Sequence, residues 1–154
     1  MSVYRKKLLF ISKESNFKIP LIGLLIRKAG YLSIDRENGM RALRTLKQAA
    51  DLVTREGISV GIYPEGTRSK TGELQEFKEG AFYLAKKAGV PVVVMSTTNT
   101  EKIRAGKRIL CPLTVTVSIL DVWQPDEISA HTNAELAQRS HDLILAKLTE
   151  SQNA

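Results

Sequence analysis

Ile58-Ser-Val-Gly-Ile-Tyr-Pro-Glu-Gly-Thr-Arg-Ser69 is the stretch on which the reading of this chain turns. Ile58, Val60 and Ile62 alternate with Ser59 and Gly61, the two-residue period of a strand with one buried face. Pro64 lacks a backbone donor and ends sheet pairing there. Glu65, Gly66, Thr67 and Arg68 then fall at the carboxyl end of that strand, where ligands bind in open α/β sheets. Gly66 lets the backbone turn and approach a ligand closely. Thr67 offers a hydroxyl, and Arg68 a planar fork that can grip two oxygens of a phosphate. From the residues alone this is an oxyanion site of unspecified purpose.

Working outward, strand and helix alternate. Lys7 to Ser12 predicts a strand, and Asn16 to Ala29 a helix with Pro20 in its first turn, closed by Gly30. Tyr31 to Ile34 predicts a brief strand ending at Asp35-Arg36. That pair is either a surface ion pair of little worth or a second arginine delivered to a strand end. Apolar residues at 40, 43, 46, 50 and 53 give a helical face over Met40–Thr54, stopped by Gly57. Phe77–Ala88 predicts a helix packed through Phe82, Leu84, Ala85 and Ala88. Lys78 at its start either points back to the site or is simply solvated. Val90–Ser96 predicts a fully buried strand, and Thr97–Arg108 a polar, basic loop at the sheet edge. Leu113 to Ile119 alternates as a strand with one wetter face. Thr132-Asn-Ala-Glu135 has capping-box spacing and opens a helix to about Leu148. The expected fold is α/β, one mixed, mostly parallel sheet flanked by helices, in a single domain over residues 1–154.

The 154 residues are 43% hydrophobic and 25% charged, an ordinary globular composition with length enough for a core. The single Cys111 excludes an internal disulfide, argues for a reducing compartment and reads as a buried thiol beside Pro112. Two distant histidines and one cysteine suggest no metal site. The net charge of +7 is local. Residues 1–30 carry Arg5, Lys6, Lys7, Lys13, Lys18, Arg27 and Lys28 against Glu14 alone. These basic residues are interleaved with apolar ones from Phe17 to Ala29, a pattern that suits either an anionic membrane surface or a half-buried helix with solvated lysines. Nucleic acid is not an expected partner, because the chain has one Trp, no basic–aromatic alternation and no binding motif. No apolar run approaches the roughly 20 residues that span a bilayer, and the first residues do not form a signal peptide. A cytoplasmic protein resting on the inner face of the cell membrane is expected.

The motifs resemble those of the glycerolipid acyltransferases typified by 1-acylglycerol-3-phosphate acyltransferase. Ser33-Ile-Asp-Arg36 is similar to the second of that family's four signature blocks, Tyr63–Ser69 with Phe77–Phe82 to the third, and Gly89-Val-Pro-Val-Val-Val94 to the fourth. Val94 stands where a second proline is common. The resemblance covers about residues 7–125 and implies a glycerol-3-phosphate acyltransferase-like fold. It implies transfer of a fatty acyl group from acyl-CoA or acyl carrier protein to lysophosphatidate, with no cofactor beyond that donor. It assigns the acceptor's phosphate to Arg36 and Arg68, in a pocket shaped by Glu65, Gly66 and Thr67, with Lys78 at its margin. The family's first block, a His followed five residues later by an Asp, is not in this sequence. Leu136 lies five residues after His131 and Ala146 five after His141. No catalytic residue is therefore assigned. The expectation is an amino-terminally truncated form, either an enzyme whose start lies upstream or a remnant, with little or no transferase activity as written. Alternatives are a non-catalytic phospholipid binder and an acyltransferase for another lysolipid.

Overall fold

The computed structural model describes residues 7–67, 69, 73–99 and 114–152. Strand β1 (Leu8–Lys13) runs between β2 (Leu32–Ile34) and β3 (Ser59–Gly61), both parallel to it. Register sets Ile11 against Leu32 and Leu8 against Ser59. A second ladder joins β4 (Val92–Thr98) to β5 (Thr116–Trp123), antiparallel. The pairing is thus mixed and mostly parallel, as the alternation predicts, and divides into these two ladders among the described residues. The helices are α1 (Ile22–Lys28), α2 (Gly39–Glu56), α3 (Gly80–Ala88), α4 (Pro125–Ala130) and α5 (Asn133–Gln152). Among the described residues none is long and apolar enough to cross a membrane.

Two apolar clusters hold the elements together, and α3 serves both. Leu84 of α3 packs with Leu9, Leu32, Ile58 and the Ala49, Ala50 and Val53 face of α2. Phe82, on the same helix, packs with Phe77, Val94, Trp123, Ile128, Leu136 and Ala137. Gly57 and Gly89 end α2 and α3 in the left-handed conformation expected of a helix-closing glycine. The Thr132–Glu135 capping box forms reciprocally, Glu135 N–H to Thr132 Oγ1 (3.2 Å) and Thr132 N–H to Glu135 Oε2 (2.7 Å).

Several expectations are corrected. The helix predicted over Asn16–Ala29 is broken into a 3₁₀ turn (Glu14–Lys18) and α1. Ile19, held extended as the residue before a proline, separates the two. On α2 the apolar positions 40 and 43 stay exposed, and the buried residues are Ala49, Ala50 and Val53 further along the helix. Helix α3 begins at Gly80, not Phe77, since Phe77 is drawn into the second cluster and the Lys78 N–H is taken by the Pro64 carbonyl at 2.9 Å. Strand β4 is buried on one face only, with Val93 and Met95 exposed, as an antiparallel ladder allows. On β5 the apolar Val117 and Ile119 face outward. An extra residue at Leu120 shifts the register between Val94 and Met95, so that Leu120 and Trp123 turn inward instead. Helix α4, opened by Pro125 at its first position, was not anticipated. Cys111 and most of the predicted loop up to Arg108 lie outside the described residues.

Asp121 closes this second ladder electrostatically. Its carboxylate accepts from Trp123 Nε1 (2.7 Å) and from the Val122 N–H (2.8 Å), and Arg139 Nη2 lies 3.3 Å away. These bonds, Trp123 first, hold its pKa below the usual carboxylate value. The linked stability is present above the ordinary Asp value and is lost as pH falls through the depressed native one. Asp121→Asn is therefore expected to narrow the difference in melting temperature between pH 7 and pH 3; an unchanged difference would show that the carboxylate is not coupled to folding.

Candidate functional site

Three parallel strands deliver their carboxyl ends to one rim. On β1 the end is Ser12-Lys13, and Asn16 Nδ2 donates back to Ser12 Oγ at 2.9 Å. On β2, Ile34 pairs at the level of Lys13, so Asp35 and Arg36 project just beyond. On β3, Gly61 pairs with Phe10, whose ring fills the space a Cβ at Gly61 would need. That ring stacks on Tyr63, centroids 6.2 Å apart, and tilts against Tyr31 at 5.5 Å.

After Tyr63 the chain turns within four residues, the Gly66 N–H donating to the Tyr63 carbonyl at 3.0 Å, with Pro64 second and Gly66 fourth as such turns favour. Gly66 has φ +71°, the conformation that selects glycine. Glu65 Oε2 accepts the Gln75 N–H at 3.0 Å, so this carboxylate fastens the far end of the following loop. Lys78 lies across Gly66. A Cβ placed there would sit 3.3 Å from its Cδ and Cε and 3.6 Å from its Nζ. Of the two readings open for Lys78, the geometry gives the one that points back to the turn. Glu65, Gly66 and Lys78 are thus brought together; Thr67 is exposed beside them, and Arg68 lies outside the described residues.

Arg36 stands across the end of β1 from this turn, two strand spacings or about 10 Å away, a gap long side chains can share. Its neighbour Asp35 does not pair with it. Asp35 instead caps the Glu37 N–H (3.1 Å) and meets Arg41 Nη1 (3.4 Å). Arg36 is partly buried, which lowers its pKa, and among the described residues no carboxylate lies within ion-pair distance of it. A partly desolvated guanidinium with no such carboxylate beside it can donate hydrogen bonds to an exogenous anion through its planar fork.

Lys13 was passed over in the sequence because only the β1–β2 register reveals where it falls. Its ammonium lies 3.5 Å from Glu37, next to Arg36, on the same rim. Glu37 thus competes with any anion for Lys13. Glu37→Gln is expected to tighten binding of a phosphorylated lipid by about two- to fivefold at low salt, the worth of one exposed ion pair. Isothermal titration would read it, and weaker binding would remove Lys13 from the site.

The histidines stand elsewhere. His131 approaches Glu135 at 3.8 Å, and His141 packs edge-on against Phe77 at 5.2 Å with Asp142 3.5 Å from its Nδ1. Neither touches the turn or Arg36. Among the described residues no group of three or more His, Cys, Asp or Glu is placed to hold a metal.

A family profile described as Acyltransferase matches residues 1–98, which include Arg36 and Arg68. The chain belongs to the acyltransferase family. A 1-acyl-sn-glycerol-3-phosphate acyltransferase from Limnanthes douglasii is 32% identical over 143 residues, 92% of this chain and 51% of that one. One from Haemophilus influenzae is 30% identical over 148 residues, 91% and 58% respectively. The crystal structure of the 1-acyl-sn-glycerophosphate (LPA) acyltransferase of Thermotoga maritima superposes with a TM-score of 0.72 at 26% identity, covering 96% of this chain and 58% of that one. This acyltransferase-family chain therefore has the fold of that enzyme and spans a little over half the length of these three relatives.

Proposed function

We propose that this chain forms the acceptor-holding part of a 1-acylglycerol-3-phosphate acyltransferase acting in phospholipid biosynthesis. The carrying observation is the partly buried Arg36, with no ion-pair partner among the described residues, on the strand-end rim that also carries the Tyr63–Thr67 turn. In this reading Arg36 and Arg68 grip the phosphate of lysophosphatidate, Lys78 adds charge over Gly66, and Glu65 keeps the loop in shape. The free hydroxyl of the acceptor then attacks the thioester carbonyl of acyl-CoA or acyl carrier protein. A C–O bond forms, the C–S bond breaks, the hydroxyl proton passes to a base and the thiol leaves, giving phosphatidate. The protein works at the cytoplasmic face of a membrane, where its amphipathic acceptor resides.

The base is the open element. His131 and His141 lack an Asp five residues on, and they lie away from the rim. The 154 residues are accordingly expected to bind lysophosphatidate saturably while transferring acyl groups about 10²–10⁴-fold more slowly than a form supplied with a His–Asp pair. A second reading, a phospholipid binder without chemistry, rests on the same strand-end pocket of Arg36, Gly66 and Lys78. Intact mass of the native protein and an acyl-transfer assay of it decide between the two. A mass clearly above 17.1 kDa with phosphatidate formed supports the enzyme; 17.1 kDa with binding and no transfer supports the binder. Absence of lysophosphatidate binding in either form would refute both.

A further inference from the structure

We infer that Ile19–Leu25 is the segment by which this chain inserts into an anionic lipid bilayer, an inference that rests on the lipid-acceptor reading above. Pro20, Leu21 and Ile22 form a three-residue turn, the Ile22 N–H donating to the Pro20 carbonyl at 2.7 Å. Leu21 at its centre has φ +63° and ψ −55°, the rarer and strained form of such a turn. The strain thrusts an apolar side chain into solvent, where Leu21 is 77% exposed.

Helix α1 continues the surface. Ile22, Leu24 and Leu25 are all exposed, Leu25 to 65%, although the helix carries no charge before Arg27. A helix apolar nearly all round is normally buried. Here only one side is covered, at Gly23, whose missing Cβ lets the backbone press against the Phe17 carbonyl. Arg27 bonds to that carbonyl and to Gly23 O, and its guanidinium lies 5.8 Å over the Phe17 ring. The platform is therefore fastened from beneath while its outer side remains bare.

Its rim is basic. Lys18 lies before the turn, and Arg27 and Lys28 end the helix, against Glu14 alone, which pairs with Lys18 at 3.7 Å. Apolar side chains at the tip with cations around them complement an anionic headgroup layer over hydrocarbon. Connectivity puts the tip beside the site, since the 3₁₀ turn that follows β1 leads straight into it. Exposed Met40, at the start of the helix leaving β2, lies on the same rim. Bilayer contact at this rim would present a lysophosphatidate headgroup to Arg36 without the lipid crossing water.

The test is sedimentation of the 154-residue chain with vesicles of phosphatidylcholine containing phosphatidylglycerol, and with phosphatidylcholine alone. The chain is expected to bind the mixed vesicles, with severalfold loss when phosphatidylglycerol is omitted. Leu21→Gly should lower the partition coefficient by about tenfold, the worth of one inserted side chain, while its thermal melt is unchanged or raised because glycine accepts the turn. Leu21→Asp with Leu25→Asp should abolish binding, and Val117→Asp with Ile119→Asp, on the outer face of β5, should not. Wild-type binding by Leu21→Gly, loss in the β5 variant, or conversion of a dimer to a monomer by the Leu21/Leu25 variant would overturn the inference. A water-soluble short-chain lysophosphatidate separates the two readings. Leu21→Asp with Leu25→Asp should bind it normally, whereas Arg36→Ala should lose it and still sediment with vesicles.

Discussion

Arg36→Ala is expected to weaken binding of short-chain lysophosphatidate by about 30- to 100-fold, with monoacylglycerol binding unaffected. Hydrogen bonds to a charged group contribute about 1.5–3 kcal/mol, and a partly buried guanidinium stands toward the upper part of that range. The cations beside it are engaged elsewhere, Arg41 with Asp35 and Lys13 with Glu37. Arg36→Lys should recover only part of the loss, because an ammonium keeps the charge but not the planar fork. Arg68→Ala is expected to weaken binding similarly, by family resemblance. Titration calorimetry at fixed salt checks all three. An Arg36→Ala variant that binds as the parent does would remove the strand-end pocket from the account, whatever its transfer activity.

Trp123→Ala carries the largest expected effect on stability, about 3–5 kcal/mol. Trp123 is wholly buried at the end of β5, its Nε1–H on Asp121 at 2.7 Å, the Arg139 guanidinium 4.7 Å over its ring and Phe82 of α3 at 6.2 Å. It therefore joins the antiparallel ladder to α3 and α5 at once. For a chain of this size the loss corresponds to a fall of about 10 °C or more in Tm. Trp123→Phe keeps an aromatic body and gives up the indole donor, so urea unfolding should place it between the two. If Trp123→Ala unfolds at the parent's urea midpoint, the second cluster does not carry the stability assigned to it.

The parallel half of the fold was legible because its signals are local. The Ile58–Ile62 alternation, the break at Pro64 and the glycines closing α2 and α3 each act within a few residues. Arg36 and the Glu65–Gly66 turn could be placed for the same reason, since each ends a strand. What escaped was decided by partners distant in sequence. Lys13 joins the rim only through the β1–β2 register, and the inward turn of Leu120 follows from a register shift against β4. The break before α1 was over-read as continuous because Pro20 suits a helix's first turn as well as it suits an extended residue before it. The direction of Lys78 follows from its backbone bond to Pro64, fourteen residues back, which no local signal announces.

The central position of β1 also has a kinetic meaning. On β1, Ile11 pairs with Leu32, some twenty residues onward, and Leu9 with Val60, about fifty onward. Such distant pairings close large loops before any contact rewards them, so sheet formation is slow compared with the growth of α2. During synthesis β1 leaves the ribosome before both of these partner strands, and its edge toward β3 stays without that partner until Ser59–Gly61 emerges. Arg36 and the Tyr63 turn meet only when that wait ends. The pocket is then acquired together with the sheet, and the nascent chain carries an open strand edge, a point of risk for aggregation, until it is.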